Sequence, residues 1–369
     1  MSLKIFVAGG TGLVGNAIIK NLKTKGYTNI VSNYHRRRPK DKSIYWNQTD
    51  LTNQDEVSDF FNANKPDMVF LAAAKVGGIL ANDTYPGEFI YQNLMIQNNI
   101  IHQAFLQGVQ RLLFLGSSCI YPKHAQQPMQ EDQLMTGPLE PTNSAYAVAK
   151  IAGIEMCQGY NKQYGTSYLP VMPTNLYGNN DNFDLENSHV LPALIRKFHL
   201  AKLASQGKYK AIDRDESLFG PIPNDLRFDL GLGSPVKDSK NETMTTKPPY
   251  VRLWGTGKPR REFLHVDDLA EACSFLMCKT GETKLTNIGV GKDIAISELA
   301  GLVQKIVGFE GQVVFDTNKP DGTPQKLLDN SKLDHLGWWA KIGLEEGIGS
   351  VYKWYQEICE ERGPWTVDR

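Results

Sequence analysis

The stretch Leu3-Lys4-Ile5-Phe6-Val7-Ala8-Gly9-Gly10-Thr11-Gly12-Leu13-Val14-Gly15 decides the fold. Its first six residues form an apolar run of strand length, and the glycines that follow end it at once. The glycines satisfy a G-x-G-x-x-G spacing from Gly10 and a G-x-x-G-x-x-G spacing from Gly9. Glycines at these positions let the backbone turn sharply and approach a pyrophosphate. The N-terminus of the next helix then offers free N–H groups and a favourable dipole. The pattern LVGNAIIKNLKTKG supplies that helix, so the strand–turn–helix context of a dinucleotide site is present. On this reading Gly9, Gly10, Thr11, Gly12, Leu13, Val14 and Gly15 form a cofactor cradle; for the glycine spacing alone, a tight turn without a ligand is the plain alternative.

Outward from this stretch, the strands NIVSNY, DMVFLAAA and RLLFLGS alternate with the helical patterns DEVSDFFNANK and NLMIQNNIIHQAFLQGV. Such alternation implies βαβ units and an α/β fold, a doubly wound parallel sheet covered on both faces. The expected organisation is a nucleotide domain over 1–176, to which the chain returns near 262–290. A smaller C-terminal α/β domain for substrate is expected from 177–261 and 291–369. Within it, 205–249 is rich in Gly, Pro, Ser, Thr and Lys and lacks sustained periodicity, which reads as a surface insertion. The second strand ends in Tyr34-His35-Arg36-Arg37-Arg38. Cations there, in place of an acid for a ribose hydroxyl, suit a 2′-phosphate and point to NADP(H), with Arg36, Arg37 or Arg38 making the contact.

Composition narrows the function classes. Lys+Arg and Asp+Glu are equal at 40 each among 369 residues, so no global field favours nucleic acid or an anionic membrane. No apolar run is long enough to span a bilayer, and the N-terminus enters a strand without a signal-like segment. Cys119, Cys157, Cys273, Cys278 and Cys359 are odd in number and have no metal-ligand spacing. The expectation is a cytoplasmic enzyme without a metal, acting on a small molecule.

The chemistry-bearing strings are LFLGSSCIYP (113–122) and Ser144-Ala145-Tyr146-Ala147-Val148-Ala149-Lys150. Tyr146 and Lys150 are four apart and share one helix face. A nearby ammonium favours phenolate, which makes Tyr146 a candidate proton donor or acceptor. The order of a glycine-rich first turn, Ser117 after a later strand, and then Tyr-x-x-x-Lys resembles the extended branch of the short-chain dehydrogenase/reductase superfamily. That resemblance implies a Rossmann-type sheet and a carbonyl polarised by Ser117, Tyr146 and Lys150 opposite a nicotinamide. The core of that superfamily does not require Cys119. A thiol there is inert filler or an acid/base for carbon atoms next to a ketone, and such chemistry needs a partner group, for which His189 is the candidate.

Further strings, AAAKVGGI, EPTNSAYAVAK, MPTNLYG, NSHVLPALIRKFH, WGTGKPRREFLHVDD and KPDGTPQK, resemble the GDP-L-fucose synthase family, the 3,5-epimerase/4-reductases of GDP-4-keto-6-deoxymannose. The resemblance covers nearly the whole chain outside 205–249. It implies Cys119 and His189 as the epimerising acid/base pair, with Tyr146, Lys150 and Ser117 serving reduction. It places Pro173, Thr174, Asn175 and Leu176 beside the nicotinamide, with His189, Tyr146 and Lys150 also at the cofactor. Lys197, Trp254, Arg261, Asp321 and Lys326 take the GDP-linked keto-sugar, Lys197 standing where Arg is usual. A homodimer is implied, built on helices near 93–107 and 146–163. The run HRRRPKDK and the insertion depart from the family pattern, which keeps another GDP-keto-sugar, such as a heptose, as an alternative. A reductase or dehydratase on another nucleotide sugar and a non-catalytic NADP-binding protein are the further alternatives.

Overall fold

The computed structural model describes residues 3–35, 38–232, 248–279, 281–319 and 321–361. Two compact units are built from interleaved segments. The first comprises Met1–Asn180, Glu262–Lys292 and Lys326–Ile342; the second comprises Asp181–Arg261, Asp293–Gln325 and Gly343–Arg369.

The first unit is organised by strands β1 (Ile5–Ala8), β2 (Ile30–Tyr34), β3 (Tyr45–Gln48), β4 (Met68–Leu71), β5 (Arg111–Leu115) and β6 (Ser167–Pro173). The strand Thr286–Ile288 joins them, and the order across the sheet is Thr286–Ile288, β6, β5, β4, β1, β2, β3. Every pairing is parallel; β1, for example, aligns Ile5 with Ile30 on one side and with Met68 on the other. The helices between are α1 (Leu13–Thr24), α2 (Gln54–Asn64), α3 (Ile79–Thr84), α4 (Pro86–Leu106) and α5 (Ser144–Tyr164), followed later by Val266–Cys278.

Alternation along the strands makes two cores. Phe6, Val31, Val69, Leu71, Leu112 and Phe114 face one layer. Ile5, Val7, Ile30, Phe70, Leu113 and Leu115 face the other, where α1 and Val266–Cys278 pack. Local chemistry fixes the ends of the elements. Asn53 caps α2 by accepting from the backbone N–H groups of Asp55 and Glu56, and Gly165 ends α5 at φ +68°. Strand order reverses between β1 and β4. The carboxyl ends of the strands at such a switch point form the crevice that holds ligands in open α/β sheets.

In the second unit, α6 (Val190–Ser205), α7 (Tyr209–Phe219) and α8 (Asn224–Asp229) precede a parallel pair of strands, Tyr250–Trp254 and Gln312–Asp316. The helix Ile296–Val307 packs on α6 and on Leu344–Glu361. The centre of this unit is an ion pair excluded from water. Arg196 Nε donates to Asp215 Oδ1 at 2.8 Å, and Nη1 donates to the carbonyls of Phe183 and Phe219 at 3.1 and 2.9 Å. Tyr355 donates to the other Asp215 oxygen.

Part of the stretch that lacks a sustained period is therefore ordered helix. α7 buries Ile212, Asp215, Leu218 and Phe219, and an aspartate on the buried face masks the apolar repeat. Residues 233–247, the rest of that stretch apart from its last two residues, lie outside the described residues. Among the described residues no helix is long and apolar enough to cross a membrane.

Candidate active site

The glycine loop follows β1 directly. Gly9 adopts φ +82°, and its N–H donates to Asn33 Oδ1 at 2.8 Å. Asn33, buried at the end of β2, also reaches the Thr49 carbonyl and so pins the loop to the sheet edge. Sequence reasoning missed Asn33, because a polar residue in a strand carries no local sign of its partner.

The glycines serve different needs. A Cβ on Gly10 would meet Ser32 Oγ at 2.1 Å, and one on Gly15 would meet the Gly9 carbonyl oxygen at 2.1 Å, so packing within the protein demands glycine at both. At Gly12 the nearest atom would be 3.5 Å away. Protein packing therefore leaves its identity unexplained, as expected where a ligand's phosphates approach the backbone. Gly12 is the N-cap of α1 and has no side chain to satisfy the first N–H groups, which leaves them to an anion. Thr11 is exposed, while Leu13 and Val14 start the helix half-buried. Arg36 and Arg37 lie outside the described residues, and Arg38 is exposed.

Beyond β5 the chain forms a short 3-10 turn, Ser118–Ile120, capped by Ser117. Ser117 Oγ and Cys119 Sγ are 2.9 Å apart, and the Cys119 carbonyl accepts from Asn143 Nδ2 at 3.1 Å. Asn143 precedes α5, so the turn that carries the thiol is held to the helix that carries Tyr146 and Lys150. Lys150 Nζ donates to the Leu115 carbonyl at 2.9 Å and stands 5.9 Å from the Tyr146 ring centre and 4.8 Å from that of Phe114. Ser117, Cys119, Tyr146 and Lys150 thus come together at the carboxyl end of β5.

Their electrostatics differ from the sequence expectation. Burial pushes the Tyr146 phenol well above its usual range; the Cys119 thiol adds to the rise and the Ser117 hydroxyl opposes it. Burial outweighs any pull from the neighbouring ammonium, and burial lowers Lys150 itself to about 8. In the protein alone, Tyr146 is a protonated hydroxyl, the form that can donate.

Pro173 closes β6, and the Thr174 N–H donates to the Ile288 carbonyl at 3.0 Å. Asn175 and Leu176 begin a short strand that runs parallel to Phe263–His265.

In the second unit His189 is the N-cap of α6, but its side chain makes no capping bond. Desolvation lowers its imidazole below the usual value, although the residue is exposed. Lys197, half-buried on the same helix, is lowered by burial against the opposing pull of Asp225 and Asp229. Arg261 is also lowered by burial. Trp254 ends its strand 57% exposed with Lys319 Nζ 5.1 Å from its ring, so it is a surface platform and not a core aromatic. Both carboxylate oxygens of Asp321 are occupied by Thr256, from its N–H at 2.8 Å and its hydroxyl at 2.7 Å, and they close the turn after Trp254. Lys326, in the first unit, is half-buried in the short strand Gln325–Lys326.

Among the described residues, His199, Asp215 and Cys359 bring possible metal-ligand atoms within 4.8 Å of one another. Arg196 and Tyr355 already use both Asp215 oxygens, and the buried guanidinium opposes a cation there.

The profile of the NAD dependent epimerase/dehydratase family matches residues 5–215 and 238–289. GDP-L-fucose synthase 1 of Arabidopsis thaliana is 48% identical over 359 residues, covering 97% of this chain and 95% of the relative. GDP-L-fucose synthase of Escherichia coli is 46% identical over 363 residues, covering 96% and 97%. Among solved structures, a GDP-mannoheptose C4 reductase from Campylobacter jejuni with NADP bound superposes with a TM-score of 0.76 at 41% identity, covering 96% of this chain and 98% of that one. With the family profile matched over most of its length and near full-length relatives at almost half identity, the chain belongs to the NAD dependent epimerase/dehydratase family, in the group of the GDP-L-fucose synthases.

Proposed function

We propose that the protein converts GDP-4-keto-6-deoxy-D-mannose to GDP-L-fucose by epimerisation at C3 and C5 followed by NADPH-dependent reduction at C4. The observation that carries this reading is the thiol of Cys119 bonded to the hydroxyl of Ser117 beside Tyr146 and Lys150. A reductase alone needs the Ser, Tyr and Lys; a thiol at the same carbonyl adds an acid/base for the carbons on either side of it.

C3 and C5 both flank the ketone, so removing a proton from either gives an enolate that the C4 oxygen stabilises. Cys119 and His189 are the pair that exchange these protons, one removing and the other returning it on the opposite face. Ser117 donates to the C4 oxygen as negative charge develops there. NADPH, when bound, supplies the hydride for C4. Tyr146 gives its proton to the C4 oxygen, a role that suits a phenol held protonated by burial. Lys150 supports Tyr146 and the cofactor ribose. Gly9 to Gly15 cradle the pyrophosphate, Pro173 to Leu176 line the nicotinamide with His189, and one of Arg36, Arg37 and Arg38 meets the 2′-phosphate. Arg261, Lys197, Trp254, Asp321 and Lys326 hold the nucleotide sugar, with Arg261 offering a two-pronged donor to a diphosphate. The nucleotide domain is read as 1–176 with its return near 262–290, and the remainder serves the sugar. Exposed Tyr91 and Leu106 on α4 and Val148 and Tyr164 on α5 favour a homodimer through these helices, and five free thiols suit the cytoplasm.

A second reading, a GDP-keto-heptose as substrate, is favoured by the likeness to the Campylobacter heptose C4 reductase. One experiment separates them. The protein is incubated with GDP-4-keto-6-deoxy-D-mannose in D2O, first without and then with NADPH, and followed by NMR. Deuterium at C3 and C5 before NADPH, then GDP-L-fucose after it, is the expected result. Reduction without label makes this a plain reductase. No turnover of the hexose, with turnover of a GDP-4-keto-heptose, establishes the second reading.

A further inference from the structure

Glu262 is fully buried in the first unit. Its Oε1 accepts the N–H groups of Val290 and Gly291 at 2.5 and 2.7 Å, and its Oε2 accepts that of Leu328 at 3.1 Å. Its main-chain carbonyl accepts Asn175 Nδ2 at 2.8 Å and Thr174 Oγ1 at 3.3 Å. Gly289 leaves room for the carboxylate; a Cβ there would lie 2.4 Å from Oε1. One residue therefore gathers three separate segments: Thr174–Asn175, Val290–Gly291 and Leu328. The segment at Leu328 is held from its other side too, by a bridge to Met129. The Leu327 carbonyl accepts the Met129 N–H at 2.8 Å, and the Asp329 N–H donates to the Met129 carbonyl at 2.9 Å.

We propose that Glu262 is a positioning residue that ties the nicotinamide segment, through Thr174 and Asn175, to the strand carrying Lys326, so that cofactor and nucleotide sugar bind cooperatively. The proposal rests on the site assignments above. A ligand that orders Thr174–Asn175 fixes the Glu262 carbonyl, and the carboxylate of the same residue fixes the backbone two residues beyond Lys326. The second ligand then meets a segment whose ordering cost has already been met, which is positive coupling without any change of fold. A glutamine at 262 cannot reproduce the carboxylate, because one of its two ends donates. Either Leu328 or the Val290–Gly291 pair then faces an N–H group in place of an oxygen.

The test is a binding cycle that needs no turnover. NADP+ and GDP are titrated calorimetrically into the wild type and into Glu262→Gln, each alone and with the other saturating. Backbone hydrogen exchange is followed at Val290, Gly291 and Leu328. In the wild type each ligand is expected to tighten the other by about five-fold or more, and NADP+ should slow exchange at Leu328. In Glu262→Gln the coupling factor should fall to about one while both ligands still bind, and the effect of NADP+ at Leu328 should vanish. A purely structural role predicts weaker binary binding with the coupling unchanged, and that result overturns the proposal, as does a wild type without coupling. If the wild type binds neither ligand, the site assignments fail and the proposal falls with them. Should Glu262→Gln not fold, the double variant Thr174→Val with Asn175→Ala removes both side-chain donors to the Glu262 carbonyl without burying a new polar group. It should likewise abolish coupling, and coupling intact there refutes the tie.

Discussion

Replacing Lys150 by Met should make the ligand-free protein more stable near neutral pH while removing its reductase activity. Lys150 is 3% exposed, and burial lowers its pKa from 10.5 to about 8. That gap corresponds to about 3 kcal/mol held against the charged form in the folded state. Methionine has similar length and no charge, so it relieves this cost. The substitution also leaves the Leu115 carbonyl, 2.9 Å from Nζ, without its donor, which costs about 1–3 kcal/mol. The net is a gain of about 1 kcal/mol, or a rise in Tm of about 1–3 °C for a chain of this size.

The pH dependence gives the sharper check. The folded pKa lies below the unfolded one, so the penalty is fully present below about 8 and disappears as pH rises toward 10.5. Thermal melts of both proteins without cofactor should show Lys150→Met ahead at pH 7 and behind near pH 10.5, where only the lost bond remains. A variant that is less stable at pH 7, with a difference that does not change sign, would refute the claim that burial outweighs the hydrogen bond at this site.

Cys119→Ser should slow deuterium incorporation at C3 and C5 by about a hundred-fold or more while the Kd for NADPH stays unchanged; wild-type exchange by NMR would remove the thiol from the mechanism. Tyr146→Phe should lower hydride transfer by about 10²- to 10⁴-fold in a stopped-flow NADPH assay while exchange at C3 and C5 continues, and loss of both together would point to a damaged fold. Gly15→Ala places a Cβ 2.1 Å from the Gly9 carbonyl oxygen, where only backbone movement can relieve it, so fluorescence titration should show NADPH affinity at least about ten-fold weaker. Asp215→Asn leaves the Arg196 charge buried without its partner and should cost about 3–5 kcal/mol in urea unfolding, and a loss below about 1 kcal/mol would contradict the packing described.

What could be read from the sequence was whatever depends on short-range spacing. The glycine turn, the strand before it and the helix after it are consecutive, and Tyr146 and Lys150 share a face because they are one helical turn apart. Properties set by distant partners were not legible. The raised pKa of Tyr146 comes from burial, which spacing does not report, and it reverses the simple expectation from a neighbouring lysine. Asn33 meets Gly9 across 24 residues, and Glu262 meets Leu328 across 66. The helices 209–219 and 224–229 escaped notice because the first is built around a buried aspartate whose guanidinium lies 19 residues earlier. The exposure of Trp254 follows from its place at the end of its strand, which residue spacing does not report.

The interleaving of the two units bears on synthesis. The chain changes unit after residues 180, 261, 292, 325 and 342, so neither unit is a continuous length of polypeptide that truncation could isolate. During translation the first 180 residues can pair β1 to β6, but the far edge of β6 stays open until Thr286–Ile288 emerges, more than a hundred residues later. An unpaired parallel edge is a template for association with other chains. A nascent or prematurely terminated chain is thus most exposed to aggregation over that interval, and chain-termination products ending between residues 180 and 285 should partition into the insoluble fraction.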